Sequence, residues 1–415
     1  MSGDAAGEKG AWNFHVEPAV RMGVPTILGS TTESSESLVM TVSELEGATS
    51  RTIITRSMPS GQVARFELPT VSRNTHVDVS ITTGASLENP VFRWRTLLIP
   101  RGKRLFDYRG ARGFKAPADF DAYWEAAKRE LSRVPMDAKI TRVPDRDTST
   151  GLLHRVELQT VGDTRIVCWY YVPRTALDTE GRVLRRCPAV VIMPGYGAEE
   201  PPLDRTSSDT ITLSVNPRNH GPSREYWKSP VDHLLYNIAD PGSFYYRQAF
   251  LDCLRAAEFV FSRPEVDAAR VGSEGGSQGG LFAIALAALE PRIACVCSNV
   301  TAFSGYADST ILARTGHHRA YRELLAAGGT TATLARKSLA YTDGANMAAR
   351  VRCPLQINMG GQDPVCPFVA GIVVYHRVPK GAPKEFHVLP DIVHAVPPEM
   401  RALNADWYRR WLKIP

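Results

Sequence analysis

Residues 270–289, RVGSEGGSQGGLFAIALAAL, decide the fold. A short strand-like run ending near Ser273 leads into Gly275-Gly-Ser277-Gln-Gly279, and an unbroken apolar segment follows to Leu289. Strand, sharp turn and helix in that order form a nucleophile elbow, whose turn admits only small residues two before and two after the serine. The elbow lifts the serine hydroxyl above the sheet edge and points a helix N-terminus at any anion that forms there. A phosphate cradle is the competing reading of a Gly-rich run, but the lysine of a P-loop and the spacing of a dinucleotide fingerprint are both missing.

Outward from the elbow, short apolar runs alternate with helical segments. Strands are expected at Ala189 to Met193, Ile211 to Val215, Arg270 to Ser273, Ile293 to Ser298, Leu355 to Met359 and Glu385 to Leu389, with helices at Arg247 to Ser262 and Gly279 to Leu289. This repetition specifies an α/β fold, a mostly parallel sheet with helices on both faces. Residues 300–350 break the rhythm with Ala, Leu and Arg and read as a helical excursion over the sheet. Leu153 to Thr160 and Arg165 to Val172 read as a strand pair turning at Gly162-Asp163. Further upstream, Pro117-Ala-Asp119 opens a helix that carries Trp124 on its apolar face and ends near Ser132.

Residues 1–110 differ in kind. They are rich in Thr, Ser and Val, and alternate at Leu38 to Val42, Arg51 to Thr55, Gln62 to Leu68, His76 to Thr82 and Phe92 to Ile99. Period-two alternation at this spacing implies a small all-β, sandwich-like accessory domain, bounded by the basic stretch Arg101 to Lys115 and followed by an α/β domain over 111–415. Because every candidate site residue lies beyond it, the β domain is expected to shape access or assembly and to contribute no catalytic group.

A serine hydroxyl is a weak nucleophile at neutral pH, so the elbow needs a histidine base and a carboxylate to orient it, following the serine in the order acid, then histidine. Gly360-Gly-Gln-Asp363 follows one predicted strand and Pro390-Asp-Ile-Val-His394 the next, placing Asp363 and His394 on adjacent loops at the same sheet edge. Asp391 competes as the orienting acid but is only three residues from His394. His387 falls inside a strand, His317, His318 and His376 fall on helix-like segments read as solvated polar faces, and Asp343 follows no strand. The oxyanion of an acyl-transfer reaction needs donors, assigned to the backbone N–H groups of Gln278, just after the nucleophile, and Tyr196, in the turn after Ala189 to Met193.

Composition excludes other classes. The 415 residues carry 49 Lys and Arg against 43 Asp and Glu, and +6 over that length is too dilute to form a nucleic-acid footprint. RTIITR at Arg51 to Arg56 and RGKR at Arg101 to Arg104 read as loop or edge-strand charges. Seven cysteines, none before Cys168 and none in a CxxC pair, imply no disulfide framework and no zinc site, with Cys295 and Cys297 as buried thiols. Met1 to Pro18 lacks the apolar core of a secretory signal, and the longest apolar run, Leu281 to Leu289, is about half a membrane span. The expectation is a cytoplasmic enzyme without metal or cofactor, acting on a small-molecule ester, with no nucleic-acid or membrane partner; assembly into a homo-oligomer is compatible with the sequence.

PADFDAYW at 117–124, Gly195-Tyr196-Gly197, residues 240–267, GGSQGG at 275–280, GGQDPVCP at 360–367 and His394 together resemble the acetyl xylan esterase and cephalosporin C deacetylase family of α/β-hydrolases. The resemblance covers about residues 115–413. It implies metal-free hydrolysis of acetyl esters, with Ser277 as nucleophile, His394 as base, Asp363 as orienting acid and Tyr196 and Gln278 as oxyanion donors. It also implies that Cys366 belongs to the acid loop without a chemical role. Three departures shift the expected ester away from sugars: Pro194 and Ala395 stand where the family carries His and Glu, and Arg218-Asn-His220-Gly stands for its Arg-Gly-Gln-Gly. A thioesterase, cyclase or acyltransferase using the same triad, and a non-catalytic binding module on the same scaffold, are the rival readings.

Overall fold

The computed structural model describes residues 13–17, 26–30, 37–46, 49–58, 63–72, 75–83, 90–98, 114–201, 209–314 and 316–414. The predicted linker up to Gly113, with RGKR inside it, lies outside them.

Among the described residues, seven antiparallel strands precede the linker: β1 (Asn13–Glu17), β2 (Thr26–Ser30), β3 (Leu38–Glu46), β4 (Thr49–Met58), β5 (Val63–Glu67), β6 (Thr75–Thr83) and β7 (Phe92–Leu98). They form a three-stranded sheet, β1-β2-β5, and a four-stranded sheet, β4-β3-β6-β7. Alternation explains their packing: along β5, Ala64 and Phe66 are buried while Val63, Arg65 and Glu67 face solvent. Ile27 and Phe66 of one sheet share a hydrophobic cluster with Met40, Val79 and Ile81 of the other. Five of the strands coincide with predicted runs, whereas β1 and β2 were not anticipated. The RTIITR arginines sit on β4, an edge strand, where Arg51 pairs with Glu44 at 2.8 Å.

The second region is built on one nine-stranded sheet. After α1 (Phe120–Ser132) come β8 (Lys139–Arg142), β9 (Gly151–Thr160), β10 (Thr164–Pro173), β11 (Cys187–Met193), β12 (Ile211–Asn216), α2 (Tyr245–Ser262), β13 (Val266–Gly276), α3 (Gln278–Leu289) and β14 (Cys295–Asn299). The excursion is helical as expected, α4 (Tyr306–Leu312), α5 (Gly316–Ala327), α6 (Gly329–Thr342) and α7 (Gly344–Ala348), before β15 (Leu355–Gly360), α8 (Phe368–Arg377), β16 (Lys384–Leu389) and α9 (Pro398–Trp411) close the fold. The strand order is β16-β15-β14-β13-β11-β12-β10-β9-β8; β12 to β16 and β11 run parallel, and β8 to β10 extend the edge antiparallel. This is the α/β-hydrolase architecture.

Both faces of the sheet are covered, and alternation along a single strand shows it. Ala189, Val191 and Met193 of β11 join the cluster that holds α2 and α3, whereas Val190 and Ile192 join Cys295, Cys297, Trp407 and Leu412 beneath α9. A strand buried on both sides must be apolar throughout, as β11 is. Helix α3 is buried along almost its whole length, so its sequence is apolar on every face. Its position under the elbow fixes where the serine stands. Among the described residues, no helix is long and apolar enough to cross a membrane.

Candidate active site

Ser277 occupies the turn between β13 and α3 with φ 59° and ψ −120°, a conformation rare for a residue with a side chain. Its backbone is over-determined: the N–H donates to Asn299 at 2.9 Å, and the carbonyl accepts from Gly280 and Ala302, both at 3.0 Å. Gly279 is required by close approach, since a Cβ there would lie 2.2 Å from the Met193 carbonyl oxygen at the end of β11. The small residues of the elbow thus let α3 begin directly against the neighbouring strand.

Asp363 and His394 converge on this serine from the loops after β15 and β16. The Ser277 hydroxyl lies 3.0 Å from His394 Nε2, and His394 Nδ1 lies 2.8 Å from Asp363 Oδ2. With its Nδ1–H donated to the carboxylate, the imidazole presents Nε2 as acceptor to the serine. The Asp363 carboxylate is fully buried while a quarter of the His394 side chain reaches solvent. Its second oxygen accepts from the Val365 and Cys366 N–H groups at 2.8 and 2.9 Å, so the loop itself fixes the carboxylate. Asp391 stands elsewhere, with Gln362 at 3.5 Å.

Cys366 was expected only as a loop residue, yet its Sγ is 3.8 Å from the Ser277 hydroxyl. Burial pushes this thiol well above the ordinary range, so it stays protonated and neutral beside the serine. Asp363, Cys366 and His394 offer donor atoms within 4.8 Å of one another, a set with the variety of a metal site. A metal taking His394 Nδ1 would break the hydrogen bond to Asp363, so the same atoms cannot serve both uses.

The turn after β11, which carries Tyr196, comes against the elbow: a Cβ on Gly195 would be 4.0 Å from the Ser277 Cβ. The Gln278 side chain, at the first turn of α3, is completely buried among His220 Nε2 at 3.3 Å, His233 Nε2 at 3.4 Å and the Tyr246 hydroxyl at 3.4 Å. His220 also meets the backbone of Gly195, so one imidazole touches both segments assigned to the oxyanion. Burial lowers His220 to about 3 and His233 to about 4, which keeps both neutral near pH 7. The loop that carries His220 is tied to α2 by a buried pair, Arg218 to Asp252, with Nε and Nη2 each at 2.8 Å and the Arg218 N–H at 3.0 Å.

The expectation of solvated histidines on α5 is corrected. His318 is 1% exposed and burial lowers it to about 3, while the His317 ring packs on Tyr196 at 3.8 Å between centroids. The missed signal was periodicity: His318 shares a helix face with Tyr321 and Leu325, three and seven residues on. His387 pairs with Glu385 at 3.3 Å inside β16, as its strand position implied.

Tyr196 also lines a cavity of about 340 Å³, with Asn219, Arg224, Lys228, Asp232 and His233 among its walls. The Tyr196 hydroxyl donates to Asp232 at 2.7 Å, which holds the ring between His317 and His233.

The family of acetyl xylan esterases (AXE1) matches residues 101–413. An acetyl esterase, Axe7A, of Xylanibacter ruminicola is 25% identical over 316 residues, 72% of this chain and 68% of its own length. An acetyl xylan esterase from Paenibacillus sp. R4 has a fold similar to this one with a TM-score of 0.66 at 25% identity, covering 74% of this chain and 98% of that one. Acetyl Xylan Esterase 1 from Thermoanaerobacterium sp. JW/SL YS485 gives a TM-score of 0.61 at 22% identity over 74% of this chain and 97% of its own, a likeness of fold.

Proposed function

The chain belongs to the acetyl xylan esterase family and is a carboxylic ester hydrolase, and from that premise we propose that it removes acetyl groups from a sugar or another small hydroxylated molecule through an acyl-enzyme on Ser277. The observation that carries this reading is the relay Asp363–His394–Ser277, with contacts of 2.8 and 3.0 Å.

In the acylation half, Ser277 Oγ attacks the ester carbonyl carbon as His394 Nε2 takes the hydroxyl proton. The carbonyl oxygen becomes an oxyanion facing the N–H groups of Tyr196 and Gln278, at the N-terminus of α3. Collapse of the tetrahedral species breaks the bond to the alcohol, which leaves with the proton returned from His394. Water then attacks the acyl-serine with His394 again as base, and acetate departs. Asp363 keeps its charge throughout, holding the imidazole in the tautomer that accepts at Nε2.

Ser277→Ala is expected to lower turnover of p-nitrophenyl acetate on the order of a millionfold and to abolish labelling by a fluorophosphonate. A folded wild-type chain that refuses the label would instead favour a binding module, and preferential transfer of the acetyl group to an added alcohol would favour an acyltransferase.

A further inference from the structure

The hydrolase reading gives the N-terminal strands no part in the chemistry, yet one of them reaches the loop that carries Asp363. Trp94 on β7 is 4% exposed, and its indole N–H donates to the Gly361 carbonyl at 3.2 Å. Gly361 stands two residues before Asp363. On the other side of the acid, the Arg314 N–H donates to the Pro364 carbonyl at 2.7 Å, and the Arg314 guanidinium donates to the Arg93 carbonyl at 2.6 Å. Arg314 thus ties the residue after Asp363 to the residue before Trp94. Arg95, next along β7, donates to the Ile311 carbonyl at 3.4 Å, so the end of α4 is drawn to the same strand. Asp78 on β6 fixes both flanking arginines, Arg93 at 2.5 Å and Arg95 at 3.2 Å.

These contacts bracket the acid loop where its opposite face is already occupied. The Gly361 N–H donates to the Leu389 carbonyl at 2.8 Å and the Gln362 N–H to Ile392 at 3.1 Å, both on the segment leading to His394. A Cβ on Gly361 would lie 2.6 Å from the Pro390 carbonyl oxygen, so the loop has no slack on that side. The Asp363 carboxylate moves with its loop, because the loop's own N–H groups at Val365 and Cys366 hold it. Orientation of a triad acid is sensitive to displacements of well under an ångström.

We propose that the N-terminal β region buttresses the catalytic acid, with Trp94 and Arg314 as positioning residues that set the Asp363 carboxylate against His394. The proposal rests on the reading of Asp363 as the acid of the relay. It replaces the expectation that the first 110 residues serve only access or assembly.

The test is Trp94→Phe in the full chain, which keeps an aromatic ring at the site and removes the donor, assayed on p-nitrophenyl acetate with circular dichroism to verify folding. Loss of one hydrogen bond acting on the acid predicts a kcat lower by about three- to tenfold with KM within about twofold. The apparent pKa of the rate falls as well, because a loosened carboxylate stabilises the imidazolium less. Arg314→Met, at an exposed position and therefore tolerant of folding, is expected to move both readouts the same way. In an Asp363→Asn background the Trp94→Phe change should cost nothing further, since both act through one group. Unaltered kcat and pKa in both folded variants, or a full additive loss in the Asp363→Asn background, would overturn the buttress. Wild-type turnover in Asp363→Asn alone would overturn the relay itself, a separate result.

Discussion

The two regions of the molecule bury their strands in different ways, and the difference sorts their tasks. Along β5 buried and exposed residues alternate, whereas β11, β12 and β15 are buried at every position. A sheet covered on both faces has nowhere to place polar chemistry except at the ends of its strands, and Ser277, Asp363 and His394 all follow strand ends. Within the antiparallel sheets burial varies from strand to strand, β5 alternating and β6 buried at most positions. On our proposal their contribution is mechanical and is delivered where β7 meets the acid loop and the end of α4.

The largest effect expected to separate the regions is Asp363→Asn, which should lower kcat on the order of a thousandfold or more with the fold retained. Asp391→Asn should stay within about twofold of wild type on the same ester. The reverse ranking would move the acid to the other loop and with it the chemical edge of the sheet.

The next effect is on the scaffold of the hydrolase region. Arg218→Met leaves the fully buried Asp252 carboxylate without its cation and is expected to cost about 3–5 kcal/mol in urea unfolding. A smaller loss would mean that water reaches Asp252.

Phe66→Ala probes the other region. It opens a cavity in the cluster joining the two small sheets and is expected to cost about 3 kcal/mol. Limited proteolysis should then cut within residues 13–98 before it cuts the nine-stranded sheet. Simultaneous cleavage throughout would show that the two regions unfold as one unit.

Acid supplies the gentlest probe. His220, His233 and His318 are held below the ordinary histidine range by burial, so the unfolded chain binds protons that the folded chain refuses. Their stabilisation is fully present above pH of about 6.5 and is lost as pH falls from there toward 4 and 3. Urea midpoints should therefore drop through this window, and His318→Asn should flatten the drop. A midpoint independent of pH between 7 and 4 would contradict the buried, neutral state of these rings.

What was legible follows from the same contrast. Runs such as Ala189 to Met193 and Leu355 to Met359 announce doubly covered strands, and the glycines around Ser277 announce the elbow, because local sterics alone dictate both. Chain order and strand ends also place Asp363 and His394 near Ser277 without distances, and the three side chains lie within hydrogen-bond reach. His220 and His233 were not legible as a pair, since they meet at Gln278 only once the connection between β12 and α2 has packed on the start of α3. The short edge strand β8 was missed because all four of its residues are at least partly exposed and carry no burial pattern. Nothing in Phe92 to Leu98 hints at Gly361, a contact spanning 267 residues of sequence.

One feature of the core turns the protein into its own clock. All seven cysteines are free, six of them are buried, and every one lies at or beyond Cys168. Burial raises the thiols of Cys168, Cys253, Cys295 and Cys366, so once the half-buried Cys353 has reacted a disulfide reagent reaches these four only when the nine-stranded sheet opens. The rate at which colour develops in native buffer then counts transient openings of that sheet, with no label or substitution introduced. The strands before Cys168 are silent in such an experiment, so acceleration by a change made among them would measure how far their support extends into the catalytic half.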